Sequence, residues 1–361
     1  MSEVLCFNRR WSSPVRILVH LDLPNRLERS GIYTSFRQHR KALEGVAKIE
    51  LVDPPAVGEL IRGLLSRHES EIDLIHTHLF GPRSIALSLL ARRHDIPLVC
   101  HAHVTREDFR GSFRGSNQLA YPLGWYLKRW YSHADLVVVP SDHTRERLED
   151  YPVTAPITVS TNGVDLAGLS GYEALREPYR ERYEIEGTAV CCLGNVFQRK
   201  GVDTFCAIAE ALPDIEFVWF GPYESGVTAS KTVKRLVNDP PPNVTFTGWV
   251  DDRRGALAAA DIFLLPSREE NQGIAVLEAM ACEVPVILRD LPVFKEFVTD
   301  GTDAILASEE SAFVDAIEQL ANDHELATSI GKAASETAKS HRLEVVADTM
   351  IGQYRPLIEG R

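Results

Sequence analysis

Short apolar-rich runs alternate with longer amphipathic segments along most of the chain. "RILVHL" (16–21), "IELV" (49–52), "IDLIHTH" (72–78), "IPLVCHAH" (96–103) and "ADLVVVP" (134–140) have strand length. Runs of this kind read as strands buried on both faces, the pattern of a parallel sheet. Between them, 31–45, 57–69, 82–94 and 117–133 carry apolar residues at helical spacing. The alternation slackens at "NGVDLAGLSGYEALREPY" (162–179), rich in glycine and turn formers, and then resumes. "AVCCLG" (189–194), "IEFVWFG" (215–221), "NVTFTG" (243–248), "DIFLLPS" (261–267), "VPVILRD" (284–290) and "DAILA" (303–307) follow, with helical patterns between them and through 309–355. The expected architecture is α/β, two doubly wound Rossmann-like domains facing across a cleft. The first takes residues 1–166 and the second 167–342, with a C-terminal helix over about 343–361 packing back on the first.

At 361 residues the chain is long enough for two full cores. Its net charge of −12 is uneven: residues 1–166 hold 21 Lys+Arg against 19 Asp+Glu, and residues 167–361 hold 18 against 32. The acidic second half should avoid nucleic acid and anionic membrane, whereas the first half is free to present basic clusters. No apolar run reaches the roughly 18 residues that span a bilayer. The first 14 residues lack the apolar core of a signal peptide. Six cysteines without C-x-x-C spacing are expected to be reduced core thiols of a cytoplasmic protein, with no metal site among them.

The densest chemistry lies in "PSREENQGIAVLEAMACEVPV" (266–286). A strand runs into a polar loop, and Gly273 opens an apolar helix there. The free N–H groups of such a helix start suit a phosphate. Glu270 stands just outside the helix and Glu278 two turns inside it. Carboxylates accept hydrogen bonds from vicinal hydroxyls and repel phosphate, so two acids flanking a phosphate position fit the sugar and ribose of a nucleotide sugar. "CLGNVFQRKGVDTFCAIAEAL" (192–212) adds a second strand–turn–helix, with Arg199 and Lys200 before Gly201. Two cations at a helix start match a diphosphate leaving group, whose charge grows as its bond to the sugar breaks.

These segments resemble retaining glycosyltransferases of the GT-B fold, family four. The matching residues are Pro266, Ser267, Glu270, Glu278, Ala279, Met280 and Ala281, with Arg199-Lys200-Gly201 and "NGVD" (162–165). Where that family usually has Gly-Phe-Gly after the first glutamate, this chain has Asn271-Gln272-Gly273. The resemblance implies that Arg199 and Lys200 bind the donor diphosphate, Glu278 the ribose and Glu270 the transferred sugar. It also places backbone at Gln272, Gly273 and Ile274 by the phosphate and sugar, and Gly248 and Trp249 by the base. Asn195 joins the donor set. Gly31, after Ser30, stands where a glycine turn would approach the diphosphate. The resemblance implies no metal or other cofactor, and no D-x-D motif occupies a loop suited to one.

On the acceptor side, "HAHVTREDFRGSFRGSN" (101–117) follows a first-domain strand. His101 and His103 are read as turned to opposite faces, His101 into the core and His103 into the cleft as an orienting or catalytic imidazole. His76 and His78 form a similar pair. The segment that follows interleaves Trp125, Lys128, Arg129 and Trp130, preceded by Arg110 and Arg114 in the loop. Rings beside cations suit a membrane interface with anionic headgroups. A second amphipathic candidate is "VGELIRGLLSRH" (57–68), with Leu60, Ile61, Leu64 and Leu65 on one face and Arg62 and Arg67 elsewhere. Further stretches resemble the subgroup that glucosylates diacylglycerol at the cytoplasmic face of the membrane. That implies UDP-glucose as donor, a lipid acceptor and a peripheral, cytoplasmic location. A polyprenyl-linked or soluble sugar acceptor is the alternative; a non-catalytic sugar-nucleotide-binding protein and a sugar-nucleotide epimerase are the lesser ones.

Overall fold

The computed structural model describes residues 11, 13–65, 71–223, 226 and 230–360. Cys6, Arg67 and His68 therefore lie outside the described residues. Among the described residues, twelve strands form two six-stranded sheets. In the first, β1 (Val15–His20), β2 (Ile49–Val52), β3 (Leu74–Thr77), β4 (Leu98–His101), β5 (Leu136–Val139) and β6 (Ile157–Val159) lie in the order β2-β1-β3-β4-β5-β6. In the second, β7 (Ala189–Leu193), β8 (Glu216–Phe220), β9 (Val244–Gly248), β10 (Ile262–Leu265), β11 (Val286–Arg289) and β12 (Ile305–Ala307) lie in the order β12-β11-β10-β7-β8-β9. Every neighbouring pair is parallel. The sequence pattern located eleven of these strands; β6, three residues long and half-buried, carried too little periodicity to show.

Strand order reverses between β1 and β3 in the first sheet and between β7 and β10 in the second. Ligands of doubly wound sheets bind beyond the strand ends at such points. The helices that matter for the site are α1 (Gly31–Glu44), α2 (Ser116–Tyr131), α3 (Val202–Ala211), α4 (Arg253–Ala259), α5 (Ile274–Ala281), α6 (His324–Lys339) and α7 (Leu343–Glu359).

The second domain has one core, built on Phe205, Phe217, Trp219, Phe263, Phe294 and Phe313. The first domain is packed on both sheet faces. On one face Leu18, Ile75, Cys100 and Val137 meet Leu87, Leu127, Trp130 and Tyr131. On the other, Ile17, Val19, Val99 and Val138 meet Val346, Met350 and Tyr354 of α7. Helix α7 thus belongs to the first domain's core although it follows the second in sequence. Each of its fully buried side chains contributes on the order of 1.5–3 kcal/mol. The chain passes between domains twice, and the two passages lie side by side: Val164 N donates to His341 O at 2.8 Å. Gly163 allows that approach. Its φ is +79°, and a Cβ there would come within 2.6 Å of Val346 Cγ2.

Candidate active site

Two loops of the second domain meet back to back. Gly201 ends the turn after β7 with φ +78°, and a Cβ on it would lie 2.2 Å from Pro266 O at the end of β10. Only glycine admits so close a contact in that conformation. Arg268 N then donates to Arg199 O at 2.7 Å, which fixes the register of the two loops. As a result the Lys200 ammonium rests on Glu270 Oε1, and Ser267 Oγ donates to the same oxygen at 2.7 Å. Burial alone would push the Glu270 carboxyl up. The Lys200 and Arg199 charges, with hydrogen bonds from Lys200 and Ser267, bring it below the usual carboxylate range. Glu270 is therefore a buried, ionised acceptor pinned beside two cations at the start of α5.

Arg199 is held by both domains. Its Nη1 lies 2.9 Å from Asp108 Oδ1 and donates to Glu269 O at 3.2 Å, while Nε donates to Ser112 Oγ at 3.3 Å. Asp108, on a one-turn helix (Arg106–Phe109), and Ser112 come from the arginine-rich segment after β4. Burial raises the Asp108 carboxyl's pKa, with Arg199 opposing. Sequence reasoning missed Asp108; the one available signal was an acid embedded in "REDFRG".

Glu278 is buried two turns into α5, and its Oε1 lies 2.7 Å from Arg253 Nε at the start of α4. Burial raises this carboxyl, and Arg253 offsets part of the rise. Arg253 was also missed; it stands just past Gly248 and Trp249, the segment expected to line the base. Trp249 is exposed, and the Arg29 guanidinium of the first domain sits 5.5 Å from its ring centroid. Asn195 follows β7 beside Gly194, at the strand end where the order reverses. Gly31 opens α1 behind the Ser30 cap, with open space where a Cβ would be. Gly273 has φ +88° and Ile274 begins α5.

The two residues that replace Gly-Phe of the family pattern join the domains. Asn271 Nδ2 donates to His103 O at 2.9 Å. Gln272 Nε2 donates to Thr161 Oγ1 at 2.5 Å, and Gln272 Oε1 accepts from Asn162 N at 2.8 Å. Gln272→Leu strands the buried Asn162 N–H without its acceptor. It is expected to cost about 1–3 kcal/mol in urea unfolding, whereas Asn195→Ala leaves the midpoint within about 0.5 kcal/mol of wild type.

Two expectations need correction. His101 and His103 are not turned apart: their rings stack at 4.2 Å with an 18° interplanar angle. Residues two apart on extended backbone share a face. His103 Nε2 lies 2.9 Å from His78 Nδ1, and burial lowers the His103 pKa to about 3, so the imidazole is neutral. Trp130 does not reach an interface, since it is only 8% exposed and packs in the core. Trp125 and Tyr121, at 69% and 67% exposed, do reach solvent, with Leu119, Lys128 and Arg129 exposed on the same helix. Arg114 is exposed, and Arg110 lies 5.3 Å from the Tyr121 ring centroid.

This is a crevice between two doubly wound domains, with paired cations and one buried acid at the second domain's strand ends and a second buried acid on the helix that follows. Residues 15–167 match the model described as "Glycosyltransferase Family 4", and residues 187–323 match "Glycosyl transferases group 1". The chain thus carries a glycosyltransferase family 4 domain followed by a glycosyl transferases group 1 domain. It is similar to a processive diacylglycerol alpha-glucosyltransferase of Acholeplasma laidlawii, 27% identical over 96% of this chain and 99% of that one. It is also similar to an alpha-galactosylglucosyldiacylglycerol synthase of Streptococcus pneumoniae, 35% identical over 43% of each chain. Among solved structures, Anabaena Alr3699/HepE in complex with UDP-glucose superposes with a TM-score of 0.72 at 17% identity, covering 94% of this chain and 99% of that one. That likeness shows the GT-B fold of this glycosyltransferase.

No helix among the described residues is long and apolar enough to cross a membrane. The described cysteines are all buried free thiols.

Proposed function

We propose that this glycosyltransferase moves glucose from UDP-glucose to diacylglycerol, with retention at the anomeric carbon, as a peripheral enzyme on the cytoplasmic face of the membrane. One arrangement carries the reading. The Arg199–Lys200–Glu270–Glu278 cradle faces a first domain whose α2 exposes Leu119, Tyr121 and Trp125 beside Lys128 and Arg129. The end-to-end likeness to the Acholeplasma glucosyltransferase supports a lipid acceptor.

In this reading the donor lies on the second domain. Arg199 and Lys200 bind the diphosphate, at the end of the turn that leads into α3. Glu270 binds the sugar hydroxyls and Glu278 the ribose diol, with Arg253 steadying the Glu278 carboxylate. The bond from the anomeric carbon to the diphosphate oxygen breaks, and the two cations stabilise the charge that develops on that oxygen. The acceptor hydroxyl attacks the same face of the sugar and gives its proton to the departing diphosphate. Neutral His103 orients the acceptor. The cations do the electrostatic work, so transfer needs no metal at the diphosphate. The first domain meets anionic headgroups and the acidic second domain is held off.

The donor half is tested by binding across a panel of nucleotide sugars and by pH. Ribose recognition needs an ionised Glu278, whose pKa is raised. As pH falls, this carboxylate takes its proton earlier than an ordinary glutamate. Donor affinity measured by calorimetry is expected to decline above the usual glutamate range. In Glu278→Gln it is expected to be about 10–100-fold weaker and to lack that acid limb. A wild-type profile flat down to the usual glutamate range contradicts the assignment.

A further inference from the structure

Among its described residues the first domain buries six histidines: His20, His39, His76, His78, His101 and His103. Transfer as proposed uses only His103. His39 lies on α1; His76, His78 and His101 lie on or just past β3 and β4. Several ring nitrogens are buried with no hydrogen-bond partner: His39 Nδ1, His76 Nε2, His78 Nε2 and both nitrogens of His101. A buried, unpartnered polar atom costs on the order of 1–3 kcal/mol, so five together call for a physical account. One ring nitrogen each from His39, His78 and His101 lie within 4.8 Å of one another.

We propose that His39, His78 and His101 form a binding site for a divalent transition-metal ion of the class that prefers imidazole, zinc(II) foremost. Three observations support it besides the convergence. First, the opposite nitrogens of two ligands are already anchored: His39 Nε2 faces Thr161 O at 3.4 Å and His78 Nδ1 faces His103 Nε2 at 2.9 Å. Metal-bound histidines are held in this way through the nitrogen that faces away from the ion. Second, the His39 ring is fully buried and its centroid lies 5.3 Å from that of His78 and 4.7 Å from that of His101. Third, His76 stands 4.5 Å from the His78 ring and 5.6 Å from the His101 ring. Its Nδ1 is fixed by Tyr354 Oη at 2.6 Å and its Nε2 has no partner, which makes it the fourth candidate ligand.

Nitrogens bound to tetrahedral zinc at about 2.0–2.1 Å stand about 3.3 Å apart, so the triad must contract. The His78 and His101 rings are nearly parallel at 5.0 Å, and the His39 ring meets them at 47° and 43°. Contraction therefore needs ring rotation about χ2, a broad and inexpensive torsion for histidine. The ion would tie α1 to the sheet and leave His78 Nδ1 as the N–H donor to His103 Nε2. It is distinct from the diphosphate site, where Arg199 and Lys200 supply the charge.

Metal content tests this directly. Full-length protein would be measured as purified from zinc-supplemented medium, and again after unfolding with chelator and refolding with cobalt(II), which removes any barrier to entry. We expect about one ion per chain in both preparations and a tetrahedral cobalt spectrum without a thiolate charge-transfer band. His101→Phe, which keeps a ring in the stack, and His39→Gln are each expected to weaken binding at least about 100-fold. Correctly refolded wild type holding less than about a tenth of an ion, a thiolate band, or equal occupancy in a folded variant would overturn the proposal.

Discussion

Lys200→Ala is expected to reduce kcat by about 10²–10³-fold, the usual effect of removing one preorganised group that stabilises developing negative charge. The same change has a second consequence. Lys200 is the ammonium resting on buried Glu270, whose ionisation depends on it and on Arg199. Removing it leaves a carboxylate about 5% exposed without its nearest countercharge. Breaking such a pair costs on the order of 3–5 kcal/mol, so the urea midpoint should fall together with activity. Adding Glu270→Gln to Lys200→Ala neutralises the stranded acid. Stability should recover in that double variant while transfer stays low. Recovery of both would mean that Lys200 only supports the fold.

The second large effect concerns α2. Replacing Tyr121 and Trp125 by serine removes the two most exposed rings among the described residues of the first domain, close to exposed Lys128 and Arg129. Each ring buried in a lipid interface contributes on the order of 1.5–3 kcal/mol. Partition onto vesicles containing anionic lipid and diacylglycerol should drop by at least about 100-fold. Thermal stability should stay near wild type, because neither ring packs in the core. Trp130→Ala should behave in the opposite way. It empties a core site and is expected to destabilise by about 3–5 kcal/mol, with little change in partition for the molecules that remain folded. Unchanged vesicle binding by the serine variant would remove the membrane role of α2.

The contrast between Trp125 and Trp130 shows where sequence reasoning stopped short. The two lie five residues apart, about 140° around a helix, so both could not face one surface. Composition of the segment suggested an interface; the helical period already assigned one ring to the core. The histidine pairs fail for a similar reason, since two-residue spacing on a strand keeps side chains on one face. By contrast, the β/α alternation needed no tertiary information, because strands buried on both faces announce themselves as apolar runs. Arg199, Lys200 and Glu270 could be placed from sequence because each stands at a strand end or helix start whose backbone fixes its direction, and Glu278 because it lies on the helix that begins there.

What sequence could not show depends on the meeting of distant segments. Asp108 reaches Arg199 across 91 positions only because the loop after β4 crosses the cleft. Asn271 and Gln272 look like a loss of the family's Gly-Phe pair. In the folded chain they bond His103 O, Thr161 and Asn162, and so hold the donor loop against the first domain. Arg253 looked like one more cation in "DDRRG" until the start of α4 brought it to Glu278.

The most direct test of the account is the product itself. Purified protein would receive UDP-glucose with mixed micelles of diacylglycerol, and the organic phase would be analysed for the sugar, its linkage and the lipid it is joined to. The account predicts a glucosyl diacylglycerol with an α linkage, formed by wild type and lost in Lys200→Ala. A β-linked product would contradict retention. Release of UDP with no lipid product would contradict the acceptor, and would assign this donor site to a soluble or polyprenyl-linked sugar.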